Sequence, residues 1–138
     1  MPSAGDYQFY RSHYTDKTVD LDILTGTASY ANVIAPKTAN HAVYIQRITL
    51  SITTHVDDTY LFDDDGAGPP IAQLLDEATV VPTVPSSWTW DFGPKGRKLT
   101  TGANLDVSHS STGVAVAHIE AYEKLENVIA YDSGASNQ

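Results

Sequence analysis

Apolar residues recur at every second position in short stretches of this chain, which is the period of a half-buried β-strand. In residues 17–24, for example, Val19, Leu21 and Ile23 fall on one face, while two aspartates fall on the other. No segment has the 3.6-residue period of a long helix. The pattern therefore predicts a protein built from strands.

Two longer stretches refine this picture. Residues 42–56 begin with apolar side chains in one phase and continue in the opposite phase after Gln46–Arg47. One extra residue in a strand produces such a slip, so the sequence predicts a β-bulge there. Trp88, Trp90 and Phe92 alternate with polar residues, which places all three on one face of a strand.

The remaining apolar stretches are short and are separated by turn residues. They predict strands at 59–62, 71–75, 78–84, 97–100, 103–109 and 112–124. About eight short strands with almost no helix indicate an all-β fold, and a jelly-roll-like antiparallel β-sandwich fits this number of strands best. We expect the sandwich at 17–124, an N-terminal arm at 1–16 and a C-terminal arm at 125–138.

The N-terminal arm is rich in aromatic residues although it lacks strand periodicity. Aromatic side chains and arginine dominate the energetics of protein interfaces, whereas a free polar tail is poor in them. The sequence therefore predicts a partner-binding set in this arm, and its partner is the sandwich itself, a sister subunit or another protein. This set consists of Tyr7, Phe9, Tyr10, Arg11 and Tyr14.

Composition excludes several classes of function. The chain has 138 residues, no cysteine and a net charge of −9. Without cysteine there is no thiol nucleophile, no cysteine-based metal site and no disulfide. An acidic chain is a poor ligand for nucleic acid, which requires clustered Lys and Arg. No apolar stretch is long enough to predict a membrane span or a secretory signal, so we expect neither membrane nor nucleic acid as a partner.

Acidic residues are concentrated between Asp57 and Glu77, where no basic residue interrupts them. Carboxylates are calcium ligands, but the EF-hand spacing fails because Leu61 occupies the first loop position when Gly66 is placed at the sixth. We therefore interpret residues 57–65 as a solvated loop and predict no metal site and no cofactor.

The histidines do not form a recognisable ligand set. If His109 and His118 flank a hairpin that turns at 110–113, they are about four residues out of register and cannot share a metal. His55, near Asp57 and Asp58, is a better candidate, but a third ligand is missing.

Catalytic motifs are also missing, and we expect no enzymatic activity and no catalytic residue. Asp132-Ser133-Gly134 resembles the aspartic-protease signature, but such an enzyme needs two of these carboxylates, and only four residues follow Gly134. There is no Gly-x-Ser-x-Gly motif and no phosphate-binding glycine loop. Trp88 and Trp90 could form a sugar-binding platform or a protein contact, but their phase favours the sandwich core.

The stretch SWTWDFGPKGRKLTTGANLDVSHSSTGVAVAHIEAYEKL at 87–125 resembles the closing strands of capsid decoration, or cement, proteins of tailed bacteriophages. Its features are an aromatic strand, a Gly-Pro turn, the segment Leu-Thr-Thr-Gly-Ala-Asn-Leu and a final alternating strand.

This resemblance implies a jelly-roll virion protein on the outer capsid surface, made in the host cytoplasm. It implies two partners, the major capsid protein and further copies of the chain in a homo-dimer or homo-trimer. Two alternatives stay open at this point: another virion component, such as a tail or head-fibre domain, and a carbohydrate-binding module.

Overall fold

The computed structural model describes residues 14–56, 58–65, 69–76 and 86–126, and none of these residues is helical. They form ten strands: β1 (Tyr14–Asp16), β2 (Val19–Ile23), β3 (Ser29–Ile34), β4 (His41–Thr54), β5 (Asp58–Asp64), β6 (Ala72–Asp76), β7 (Ser86–Asp91), β8 (Arg97–Lys98), β9 (Leu105–His109) and β10 (Val114–Leu125). The all-β prediction is confirmed.

The strands form two antiparallel sheets. In the first sheet, β10 pairs with β1 and β2 along one edge and with β4 along the other, and the far edge of β4 pairs with β7 and β8. The second sheet has the order β3-β9-β5-β6. Successive strands of the chain cross repeatedly between these sheets, as in a jelly roll, so the predicted architecture is confirmed.

The crossing at the end of β9 corrects one detail of the sequence interpretation. β9 pairs with β3 and β5 in the second sheet, whereas β10 belongs to the first sheet. Residues 110–113 therefore connect two sheets and do not close a hairpin. The alternation pattern is the same on both sides of such a crossing, which is why it does not reveal the change of sheet.

The predicted bulge in β4 is present. Ile45 lies opposite Ala121 and Arg47 lies opposite Glu120, so Gln46 is the extra residue. Because the bulge reverses the phase of the strand, Ile45 before it and Ile48 after it are both fully buried.

The core lies between the inner faces of the two sheets. The first sheet contributes the buried aliphatic residues of β4 and β10, and the second contributes Tyr60, Phe62 and Val107, which are 0–1% exposed. Trp88, Trp90 and Phe92 are partly buried and pack against this core, and the Trp90 ring lies 5.9 Å from the Phe62 ring. The two tryptophans therefore face inward and do not form an exposed sugar platform.

The strands begin and end slightly outside the predicted sandwich. β1 starts at Tyr14, inside the segment interpreted as an arm, and β10 ends at Leu125. The sequence pattern missed β3, and the predicted strand at 78–84 lies outside the described residues. The strand predicted at 59–62 is present as part of β5 (Asp58–Asp64), and the interpretation of residues 57–65 as a solvated loop was wrong for these residues, among which Asp58 is only 1% exposed.

Candidate partner-binding surface

Only Tyr14 of the predicted partner-binding set lies within the described residues; Tyr7, Phe9, Tyr10 and Arg11 precede them. Tyr14 opens β1 and lies opposite Lys124 of β10, on the outer face of the first sheet. It is 46% exposed, a large fraction for an aromatic side chain within a sheet. The strand that carries it continues directly from the aromatic N-terminal segment.

Tyr14 belongs to a row of three tyrosines that crosses the sheet. Tyr44 of β4 lies opposite Tyr122 of β10, and their rings stack with centres 5.0 Å apart and planes within 3° of parallel. The Tyr14 ring lies 5.6 Å from that of Tyr122. We call Tyr14, Tyr44 and Tyr122 the tyrosine cluster.

Hydrogen bonds fix two members of the cluster. The Tyr44 hydroxyl donates to Glu126 Oε2 over 2.9 Å, and the Tyr122 hydroxyl donates to the carbonyl of Lys95 over 2.7 Å. A side chain that is already held in one rotamer loses little conformational entropy when a partner binds. The cluster is therefore preorganised as a contact surface.

Lysines border the cluster. Lys98 Nζ lies 3.0 Å from Glu126 Oε1, and Lys124 Nζ lies 5.2 Å from the centre of the Tyr44 ring. An ammonium group at this distance from an aromatic ring is attracted by it. In a chain of net charge −9, this corner of the sheet thus carries two lysines beside its aromatic rings.

The protonation states follow from this packing. Burial raises the pKa of Tyr44, and the hydrogen bond to Glu126 raises it further. Burial also raises the pKa of Tyr122. Burial alone would raise the pKa of Glu126, but the hydrogen bonds from Lys98 and Tyr44 outweigh it and the net pKa is lowered. At neutral pH the tyrosines are therefore hydrogen-bond donors and Glu126 is an anion.

A shallow depression of about 260 Å³ adjoins the cluster on the same face; its lining consists of Gln46, Arg47, Asp91, Gly93, Pro94 and Glu120. We call it the Arg47 depression. Arg47 spans it, with Nη1 3.2 Å from Glu120 Oε2 and Nε 3.8 Å from Asp91 Oδ2. Its wall is the turn at 93–96, which Gly96 allows because its φ is +77° and a Cβ there would lie 3.0 Å from the Ile45 carbonyl oxygen.

The opposite end of the sandwich contains polar side chains inside the core. His55, Asp58, Tyr60, Asp76 and His109 are 0–6% exposed, and we call them the buried polar cluster. His55 Nδ1 lies 2.9 Å from Asp76 Oδ2, so its carboxylate partner is Asp76 and not the neighbouring aspartates that the sequence indicated.

These side chains do not form a metal centre. Within the described ranges, no three His, Asp or Glu side chains converge on a point that could hold an ion. His109 and His118 cannot share a metal ion, because His109 is buried in the core while His118 pairs with Asp20 on the outer face of the first sheet. The Asp132-Ser133-Gly134 motif lies outside the described residues.

Sequence reasoning missed two of the three tyrosines. Tyr44 and Tyr122 stand between buried neighbours on their strands, so the alternation itself places them outward. An aromatic residue at an outward position was the available signal. Their proximity was not predictable, because it depends on the pairing of β4 with β10.

None of the described residues forms a helix that could cross a membrane. In comparisons with known proteins, no family model matches the sequence. No curated protein matches it either.

Several solved structures are similar to this chain. A Bacillus endospore appendage, one of a family of disulfide-linked pili, is 9% identical over 83% of this chain and 89% of its own, with a TM-score of 0.40. The protein of the virus-like particle of the extra small virus of the giant freshwater prawn Macrobrachium rosenbergii is 11% identical over 82% of this chain and 80% of its own, with a TM-score of 0.37. The coat protein of Tobacco streak virus, solved as a dimer, is 11% identical over 83% of this chain and 86% of its own, with a TM-score of 0.37. At this similarity, the jelly-roll assignment rests on the strand order of the chain itself.

Proposed function

We propose that this protein is a non-enzymatic virion protein that binds the outside of an icosahedral phage capsid and clamps neighbouring major capsid subunits. The observation that carries the proposal is the tyrosine cluster, a rigid and half-exposed aromatic surface on the outer face of a jelly-roll sandwich. It lies where the aromatic N-terminal segment joins the first sheet through Tyr14.

The residue types of this surface are those of protein interfaces. Tyrosine, arginine and tryptophan account for most of the residues whose truncation weakens a complex. The cluster supplies three tyrosines, and the segment before it supplies Tyr7, Phe9, Tyr10 and Arg11. An extended segment of 13 residues reaches about 43–47 Å, which is enough to cross a neighbouring subunit.

Polar groups elsewhere in the described chain serve the fold. Both oxygens of Asp58 accept backbone N–H groups, and Glu123 accepts the N–H of Lys37 while pairing with the Lys17 side chain. A side chain occupied in this way is poorly placed to act on a substrate. The arrangement favours a binding protein over an enzyme.

The resemblance of residues 87–125 to phage decoration proteins supports the finer assignment. This stretch covers β7 to β10, which contribute strands to both sheets. It also contains Lys95, Lys98 and Tyr122, which form part of the surface described above.

Cosedimentation of the purified protein with capsid shells that lack it tests the proposal. We expect saturable binding, and we expect deletion of residues 2–13 to weaken it by about 100-fold or more, since several aromatic contacts are lost. The deletion stops before Tyr14 because that residue is part of β1.

An unchanged thermal unfolding transition would show that the truncated protein still folds. Failure of the full-length protein to bind shells would overturn the proposed function. Shell binding that survives the deletion unchanged would remove the N-terminal segment from the mechanism. Binding to a glycan panel but not to shells would support the carbohydrate-binding alternative instead.

A further inference from the structure

We infer that the outer face of the first sheet is a self-association surface, in which the tyrosine cluster of one copy occupies the Arg47 depression of a second copy. This inference rests on the proposed function and divides its contacts: the tyrosine cluster joins two copies of the protein, and the segment before Tyr14 is left to reach the capsid. A two-fold interface requires one patch that is complementary to itself. A projection with an adjoining hollow on the same face meets that requirement.

The cluster and the depression are neighbours along the same two strands. The pair Ala121–Ile45 and the bulged Gln46 are all that separate the pair Tyr122–Tyr44 from the pair Glu120–Arg47. Two residues along a strand correspond to about 7 Å. A two-fold axis in the plane of the interface, crossing the strands between these two pairs, therefore places each cluster over the other copy's depression.

The charges at the edge of the face match under the same axis. Lys98 lies opposite Tyr44 on the far edge of β4, and Asp91 lies opposite Arg47 on that same edge. The axis thus brings Lys98 of each copy towards Asp91 of the other. These side chains are 46% and 58% exposed, so both are accessible to a partner.

The rest of the face permits close approach. Thr49 lies opposite Thr89, and Ser51 lies opposite Ser87, so this part of the sheet carries small hydroxyl side chains. From Val116 to Lys124 the face is about 27 Å long, and four strands make it about 19 Å wide. Two such faces bury of the order of 1,000 Å² in total, at the lower end of specific interfaces. We expect a dissociation constant in the micromolar range.

Sedimentation of the full-length protein without shells, over a range of concentrations, tests the inference. We expect a reversible monomer–dimer equilibrium. Lys98→Glu and Asp91→Lys should each weaken it about tenfold or more, because each creates two like-charge contacts across the axis. The double variant exchanges the charges and should restore the equilibrium to within about threefold of the wild type.

Lys37→Glu is the matched control, since it makes the same charge change at an exposed position in the loop between β3 and β4, outside the strands that form the face. It should leave the equilibrium unchanged. A protein that stays monomeric, a double variant that shows no recovery, or an equal effect of the control would overturn the inference. A monomeric protein that binds shells would contradict the self-association surface and leave the proposed function intact. A dimer that does not bind shells would contradict the proposed function and leave the self-association surface intact.

Discussion

The two ends of the sandwich differ in the exposure and the hydrogen bonding of their tyrosine and charged side chains. In the tyrosine cluster, Tyr44 and Tyr122 are partly exposed and their hydroxyls have hydrogen-bond acceptors. In the buried polar cluster, Tyr60 is 0% exposed, and its hydroxyl lies beside the Asp58 carboxylate without making a hydrogen bond of ordinary length and angle within the described residues. At the exposed end, the tyrosine hydroxyls are hydrogen-bonded and the rings form an accessible surface. At the buried end, some polar atoms lack good hydrogen bonds, while others connect distant segments of the chain.

Asp58 shows what the buried end gains. Its Oδ1 accepts the N–H of Ser110 over 2.8 Å, and its Oδ2 accepts the N–H of Gly113 over 2.7 Å. These bonds fasten the crossing between β9 and β10 to the first residue of β5. Gly113 is required there, because a Cβ would lie 2.6 Å from Asp58 Oδ2 and closer still to the Tyr60 hydroxyl.

Trp90, which packs between the two ends, provides the largest expected effect. It is partly buried against the core and contacts Phe62 of the opposite sheet. Trp90→Ala should lower the free energy of unfolding by about 3–5 kcal/mol, since it removes a large inward side chain and leaves a cavity. Urea denaturation measures the change. An unaltered transition midpoint combined with lost binding of a sugar or protein would contradict the core position.

Asp58→Ala should cost about 3 kcal/mol, because it leaves the buried N–H of Gly113 and the part-buried N–H of Ser110 without their acceptor. Asp22→Ala is the matched control, since Asp22 is exposed on β2, and it should change the stability by less than about 0.5 kcal/mol. Hydrogen exchange at Gly113 and Ser110 should accelerate in the Asp58 variant. Equal stabilities of the two variants would show that Asp58 does not fasten the crossing.

The sequence predicted the features that depend on local pattern and missed those that depend on distant parts of the chain. Alternation predicted β2, the bulge of β4 and the inward tryptophans, because each depends only on residues close in sequence. It missed β3, where Asn32 has a φ of +56° and the register with β9 shifts. It also placed Asp58 in a loop, since a buried carboxylate depends on N–H groups 52 and 55 residues away.

Alkaline pH should destabilise the protein through both ends. The pKa values of Tyr44, Tyr60 and Tyr122 are raised in the folded state, by burial first and for Tyr60 also by the charges of Asp58 and Asp76. Their contribution to stability is therefore full below the unfolded pKa of about 10 and is lost as the pH rises above it. Each such tyrosine makes the free energy of unfolding decrease with pH more steeply, by about 1.4 kcal/mol per pH unit.

Urea denaturation between about pH 9 and 11 measures that slope. Tyr44→Phe and Tyr60→Phe should each reduce it by the equivalent of one proton. A slope that neither variant changes would show that these tyrosines ionise alike in the folded and unfolded states.

The smallest effects separate the two ends most directly. Tyr44→Phe removes a hydroxyl that donates to the Glu126 carboxylate, so at neutral pH it should cost about 1 kcal/mol. Tyr60→Phe removes a buried hydroxyl that makes no hydrogen bond of ordinary geometry in the described part of the chain, so it should be neutral or stabilise by about 0.5 kcal/mol. The two changes are chemically identical, which makes each the control for the other in the same denaturation experiment. A larger loss from Tyr60→Phe than from Tyr44→Phe would mean that the buried hydroxyl is hydrogen-bonded in solution, to Asp58 or to an internal water, and the contrast between the two ends would then disappear.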